Sequence, residues 1–130
     1  MRENPLILIA DDDPGFQEII SAKLKSNGFL VAEAHDGKEA VDKAVNLHPE
    51  MIIMDINMPG SSGTEAVLDI VKNPETKDVK IIFFTSMEDP WPAFKKKSPN
   101  VAKELGAVDF FNKSDDLDGI VAKIKELLSK

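Results

Sequence analysis

Leu6-Ile7-Leu8-Ile9-Ala10-Asp11-Asp12-Asp13-Pro14 is the stretch that decides the fold, because five apolar residues run straight into three carboxylates and a proline. An unbroken apolar run this short reads as a strand covered on both faces, since a strand with one wet face alternates apolar and polar positions. Pro14 suits a first helical turn, where its missing N–H is not needed, and acidic residues just before it favour a helix N-terminus. The stretch is therefore the opening of a strand–turn–helix unit with its acidic residues at the carboxyl end of the strand.

Working outward, four more apolar runs repeat the pattern: Leu30–Ala34, Met51–Met54, Lys80–Phe84 and Val108–Phe111. The segments between them supply helices. Phe16, Ile19, Ile20 and Leu24 stand at helical spacing after Pro14, and Gly28 stops that helix. Asp36–Gly37 turns into a second helix carrying Ala40, Val41 and Ala44, and Pro49 ends the connection. Ser62 with Glu65 matches a capping box opening a third helix through Val67, Leu68 and Val71, with Asn73–Pro74 closing it. Ser98–Pro99 reads as the start of a short helix that stops at Gly106, and Asp116 to Leu128 puts Leu117, Ile120, Val121, Ile124, Leu127 and Leu128 on one stripe. Strands alternating with helices predict a doubly wound α/β sheet with right-handed crossovers. The strand order is not legible in the pattern itself.

The totals set limits. At 130 residues and 42% hydrophobic content the chain fits one domain, with residues 1–130 read as a single unit. A formal charge of -7 argues against a nucleic-acid binder, which needs a clustered basic face. There is no cysteine, hence no disulfide framework and no thiolate nucleophile. No apolar run approaches a membrane span or signal segment, so a cytoplasmic location without membrane contact is the expectation.

The chemistry collects where such folds place it, at the carboxyl ends of the strands. Asp11, Asp12 and Asp13 follow the first strand, Asp55 the third, Thr85 and Ser86 the fourth, and Lys113 the fifth. Each has an ordinary reading when taken alone. The aspartates at 11–13 could cap a helix, Asp55 could open the turn Met58-Pro59-Gly60, Thr85 and Ser86 could end a strand, and Lys113 could be a surface lysine. Together they are the parts of one phosphoryl-transfer site. If the first and third strands are neighbours, Asp11, Asp12 and Asp55 converge, and clustered carboxylates want a cation. Oxygen ligands with open positions suit Mg²⁺. A carboxylate beside it can attack phosphorus, with Lys113 and Thr85 positioned to neutralise the incoming oxygens. His35 and His48 lack metal-ligand spacing, Lys95–Lys97 reads as a solvated patch, and Gly60 and Gly63 sit in no phosphate-loop pattern.

These residues resemble the response-regulator receiver domains of two-component signalling, of the chemotaxis-regulator kind. The resemblance rests on the Leu6–Pro14 stretch, on Met54-Asp55-Ile56-Asn57-Met58-Pro59-Gly60 with Gly63, on Phe84-Thr85-Ser86, and on Gly106-Ala107 leading to Phe110-Phe111-Asn112-Lys113. It implies a flavodoxin-like five-stranded parallel sheet in the order 2-1-3-4-5 with helices on both faces. It also implies that Asp55 is the phosphoacceptor and that Asp11, Asp12, Asp55 and the Asn57 carbonyl hold Mg²⁺. Thr85, Ser86 and Lys113 would contact the phosphoryl group, Phe110 would be the aromatic that follows Thr85 in switching, and Asn57 and Met87 would tune the lifetime of the acyl phosphate. The implied partners are a sensor histidine kinase or histidine phosphotransfer protein, and an effector domain or downstream protein.

Two departures stand out. Ser114 occupies the position where the family carries proline after its lysine, and the chain between Thr85 and Phe110 is longer than usual, with Pro90, Pro92 and Pro99. Proline disfavours helix at and before its own position, so residues 87–98, which hold Trp91, are expected to form a loop that changes on phosphorylation or meets a partner. The alternative functions are a phosphorylation-independent pseudo-receiver and an aspartate-nucleophile phosphatase. The latter's D-x-D-x-T pattern would need threonine where Gly15 stands.

Overall fold

The computed structural model describes residues 4–55, 63–76, 78–85, 109–112 and 116–129. Nine elements occur among them: β1 (Leu6–Ala10), α1 (Pro14–Ser26), β2 (Leu30–Ala34), α2 (Gly37–Leu47), β3 (Met51–Asp55), α3 (Gly63–Lys72), β4 (Lys80–Thr85), β5 (Asp109–Asn112) and α4 (Leu117–Leu128). The expected helix from Ser98 to Gly106 and the loop 87–98 lie outside the described residues, as does Ser62 of the expected capping box.

The strands form one parallel sheet in the order β2-β1-β3-β4-β5, the flavodoxin-like arrangement that the resemblance implies. Continuous apolarity in β1, β3 and β4 has the predicted cause, since their alternate residues serve two cores, whereas β2 is an edge strand of which only Ala34 is fully buried and Leu30 is exposed. Leu8, Ala10, Ile52, Met54, Ile81 and Phe83 pack on one face against Ala40 and Ala44 of α2 and Ala66 and Ile70 of α3. Ile7, Ile9, Met51, Ile53, Ile82 and Phe84 pack on the other against Ile20 and Leu24 of α1 and Ile120, Val121 and Ile124 of α4. Truncating one of the fully buried phenylalanines, Phe83 or Phe84, to alanine would cost about 3–5 kcal/mol.

The helix ends follow from local chemistry. The Asp13 carboxylate accepts from the Gly15 and Phe16 backbone N–H groups at 3.0 and 3.3 Å, which fixes the start of α1 next to Pro14. Gly28 then takes φ +90, a left-handed turn open to glycine without strain, and the chain reverses into β2. Asp36 and Asp116 cap α2 and α4 in the same way, accepting from Glu39 N–H at 2.8 Å and Gly119 N–H at 3.3 Å.

The buried stripe of α1 is rotated from the predicted one. Ile19 is 56% exposed, while Gln17 and Ser21 are buried beside Ile20 and Leu24. Positions 17, 20, 21 and 24 share a face at 3.6 residues per turn, and Ile19 points away from its centre.

Candidate functional site

β1 and β3 are neighbours with Ala10 opposite Met54, so the next residue of each strand, Asp11 and Asp55, come side by side at the carboxyl edge. Asp55 is itself the last residue of β3, opposite Phe84 of β4, and not the first residue of a turn after the strand. Asp11, Asp12 and Asp55 each offer a carboxylate oxygen, and these oxygens lie within 4.8 Å of one another. Asp11 and Asp55 are 1% and 6% exposed, and Asp12 is exposed, so the trio has a buried floor and an open mouth.

Asp13 does not join the trio. Its side chain caps α1, while its backbone N–H donates to Asp11 Oδ1 at 2.8 Å, turning the acidic segment so that Asp11 faces the sheet edge. The capping reading thus applies to one of the three consecutive aspartates and the convergent reading to the other two.

A residue not predicted from sequence organises this corner. The Gln17 side-chain amide donates to the carbonyls of Asp11 at 3.0 Å, Ala34 at 2.7 Å and Ile9 at 3.3 Å, and the Asp11 backbone N–H donates to the same Ala34 carbonyl at 3.0 Å. Gln17 therefore ties the ends of β1 and β2 together directly behind Asp11. Its signal in the sequence is a polar residue at helical spacing from Ile20 and Leu24 on the buried stripe.

Thr85 ends β4 opposite Asn112, one residue beyond the Asp55–Phe84 pair, and Phe110 lies in β5 opposite Phe83. The backbone thus brings Thr85 to the same edge as the trio. Asn57, Ser86, Met87 and Lys113 lie outside the described residues. Phe84 packs between Phe16 and Phe111 in tilted contacts, with ring centroids 5.7 and 5.6 Å away and ring planes at 52° and 59°, and makes an aromatic row in the core on the α1 and α4 side.

Neither histidine is a member of the acidic trio, although His35 directly follows β2 at the same end of the sheet. His35 Nδ1 is 3.2 Å from Glu39 Oε1 on the surface, and His48 closes α2 in the left-handed conformation, φ 50. Among the described residues no helix is long and apolar enough to cross a membrane.

Comparison with known proteins supports the same frame. The family model for the response regulator receiver domain matches residues 7–125. Over 125 residues, 95% of the chain, the sequence is 38% identical to a protein-glutamate methylesterase/protein-glutamine glutaminase 1 of Methanosarcina acetivorans, and it spans 34% of that protein's length. It is 29% identical to protein PilH of Pseudomonas aeruginosa, with 95% of this chain and 97% of PilH covered. Among solved structures, the chemotaxis response regulator CheY4 of Vibrio cholerae superposes with a TM-score of 0.82 at 25% identity, covering 95% of this chain and 98% of that one.

Proposed function

The chain belongs to the response regulator receiver domain family, and from that premise we propose that it is a phosphoacceptor switch in which Asp55 takes a phosphoryl group from a phosphohistidine. A sensor histidine kinase or histidine phosphotransfer protein is the donor, and the aspartyl phosphate biases a surface read by an effector domain or a downstream protein. Residues 1–130 act as one receiver unit in this reading.

The observation that carries the proposal is the convergence of three carboxylates at the carboxyl edge of a parallel sheet, two of them buried. Three oxygen donors this close, with solvent on one side, fit a small hard dication that keeps waters and accepts phosphate oxygens. Asp11, Asp12 and Asp55 would hold Mg²⁺, with the Asn57 carbonyl as a further ligand. Bound there, the ion supplies positive charge to the incoming phosphoryl oxygens.

The remaining steps belong to the side chains. An Asp55 carboxylate oxygen attacks phosphorus, the new O–P bond forms as the P–N bond of phosphohistidine breaks, and the departing imidazole nitrogen keeps the electron pair. Lys113 and the hydroxyls of Thr85 and Ser86 hold the phosphoryl oxygens in this scheme, and Phe110 follows Thr85 when the hydroxyl engages. Turnover of an external substrate is not required. The methylesterase activity named for the Methanosarcina protein belongs to a chain of which this one matches about a third.

Intact-mass measurement after incubation with acetyl phosphate and Mg²⁺ tests the reading. One added phosphoryl group, abolished by EDTA and by Asp55→Asn, is the expected result. No mass gain in the folded wild-type chain would favour the phosphorylation-independent module, and undiminished gain in Asp55→Asn would move the acceptor elsewhere.

A further inference from the structure

Asp55 and Asp11 reach the acidic edge by different means. Asp55 is still paired in the ladder, opposite Phe84, so the sheet itself fixes its backbone. Asp11 stands one residue beyond the last pairs of β1, those of Ala10 with Ala34 and with Met54. Its backbone is held instead by two further bonds. The Asp11 N–H donates to the Ala34 carbonyl at 3.0 Å, and the Asp11 carbonyl accepts from the Gln17 side-chain amide at 3.0 Å. The same amide nitrogen also donates to the Ala34 carbonyl at 2.7 Å and the Ile9 carbonyl at 3.3 Å. Gln17 is 2% exposed on the stripe of α1 that packs on the sheet, so bulk water does not compete for these bonds.

The bond to the Asp11 carbonyl has a consequence for two carboxylates at once. That oxygen belongs to the planar peptide group joining Asp11 to Asp12, two of the three residues whose carboxylates converge. Fixing the plane fixes the directions in which both side chains leave the backbone. The Ala34 carbonyl extends the bracket further. It accepts from both Asp11 and Gln17, and the N–H of the same peptide group, that of His35, donates to Glu39 Oε1 at 2.7 Å. A peptide bonded at both ends is polarised by each partner, and Glu39 stands in the first turn of α2. One peptide therefore connects the acidic edge to the start of that helix.

We propose that Gln17 is the positioning residue of the acidic site: it sets how tightly Asp11 and Asp12 hold a divalent cation, and it links occupancy of the site to the start of α2. The inference rests on the reading of Asp11 and Asp12 as Mg²⁺ ligands. Groups that orient metal ligands from behind change affinity about 10- to 100-fold when removed, and Gln17, which grips the backbone and not the carboxylates, belongs at the lower end.

Calorimetric titration of the 130-residue chain with MgCl₂ tests the proposal, with Leu24→Ala as the control that loosens the same helix without touching the bracket. Gln17→Leu keeps the bulk and removes the donor, so its Mg²⁺ affinity should fall about tenfold, whereas Leu24→Ala should match wild type. Dispersion of ¹H–¹⁵N spectra establishes that both variants are folded. In wild-type spectra the His35 backbone amide should shift with the same Mg²⁺ midpoint as the Asp12 amide, a readout that stands even if Gln17→Leu does not fold. Unchanged affinity in folded Gln17→Leu, an equal loss in Leu24→Ala, or a His35 amide that stays in place at Mg²⁺ saturation would each overturn the positioning role. Failure of wild type itself to bind Mg²⁺ saturably would overturn it together with the ligand assignment beneath it, a result distinct from the other three.

Discussion

Replacing Asp55 by asparagine should stabilise the metal-free protein. Its carboxylate and that of Asp11 approach within 4.8 Å, and two unit charges at that distance repel by about 3.5 kcal/mol at an effective dielectric of 20. Water at the exposed mouth and small side-chain rotations reduce this, so about 1–2 kcal/mol of relief is the working figure for the substitution. The amide adds a second favourable effect, because its N–H₂ can donate to the remaining carboxylates. For a chain of this length each kcal/mol moves the melting temperature by roughly 3–5 °C, so Asp55→Asn in EDTA should melt about 3–10 °C above wild type. Mg²⁺ should then reverse the advantage. At ten times its dissociation constant a ligand that binds only the native state adds about 1.4 kcal/mol, and wild type should gain most of that while the variant gains much less. Paired thermal or urea melts in EDTA and in MgCl₂ read both effects. A variant less stable than wild type in EDTA, together with an equal Mg²⁺ gain in the two proteins, would refute the electrostatic reasoning.

Asp12→Ala should weaken Mg²⁺ binding by calorimetry and slow phosphorylation while leaving the melting temperature in EDTA nearly unchanged, since Asp12 is the exposed member of the trio. Unchanged Mg²⁺ affinity would remove Asp12 from the ligand set. Met87 should act on the lifetime of the acyl phosphate, because an apolar side chain cannot orient water: Met87→Leu should leave dephosphorylation slow and Met87→Glu should speed it, and equal lifetimes would refute this role. The Glu39 carboxyl lies below its ordinary value of 4.5, chiefly because the His35 backbone N–H donates to it, with burial opposing and the His35 ring and Lys43 assisting. A depressed folded-state value contributes stability above the unfolded value that is lost as pH falls through the folded one. The gap in melting temperature between wild type and Glu39→Gln should therefore be full at pH 6 and close below about 4.5; a gap constant down to pH 3 would contradict the linkage.

How much of this was legible in the sequence varies with the kind of information each residue carries. β1 and β2 occupy Leu6–Ala10 and Leu30–Ala34 as read, their carboxyl ends falling where Asp11 and His35 succeed the apolar residues. β3 and β4 run one residue further, through Asp55 and Thr85, because ladder pairing continues past the point where apolarity stops. Hydropathy is blind to that last pair, although those are the residues on which the proposed function turns. Gln17 and Ser21 escaped for a related reason. A buried polar side chain resembles a surface one until its partners are known, and the partners of Gln17 are carbonyls of β1, β2 and the turn between β1 and α1. Strand order is a non-local property, and only the resemblance supplied it in advance.

The acidic trio was legible because its residues sit at strand ends, but the switching proposed for it depends on the rigidity of the frame beneath it. Asp11 and Asp55 extend strands whose preceding residues, Ala10 and Met54, are fully buried and paired across the ladder, so the two carboxylates cannot retreat by moving their backbones. Their repulsion favours a neutralising cation at the edge. An aspartyl phosphate carries about -1.5 to -2 where the carboxylate carried one negative charge, so phosphorylation makes the edge more negative and increases its demand for cations. In the proposed scheme the demand falls on groups from different strands at once: Mg²⁺ between β1 and β3, the Thr85 and Ser86 hydroxyls at the end of β4, and Lys113 just after β5. In that scheme, with Lys113 and the hydroxyls drawn from neighbouring strands toward the acidic floor, adding one phosphoryl group would pull the surrounding segments inward, and that movement would be the signal a partner reads.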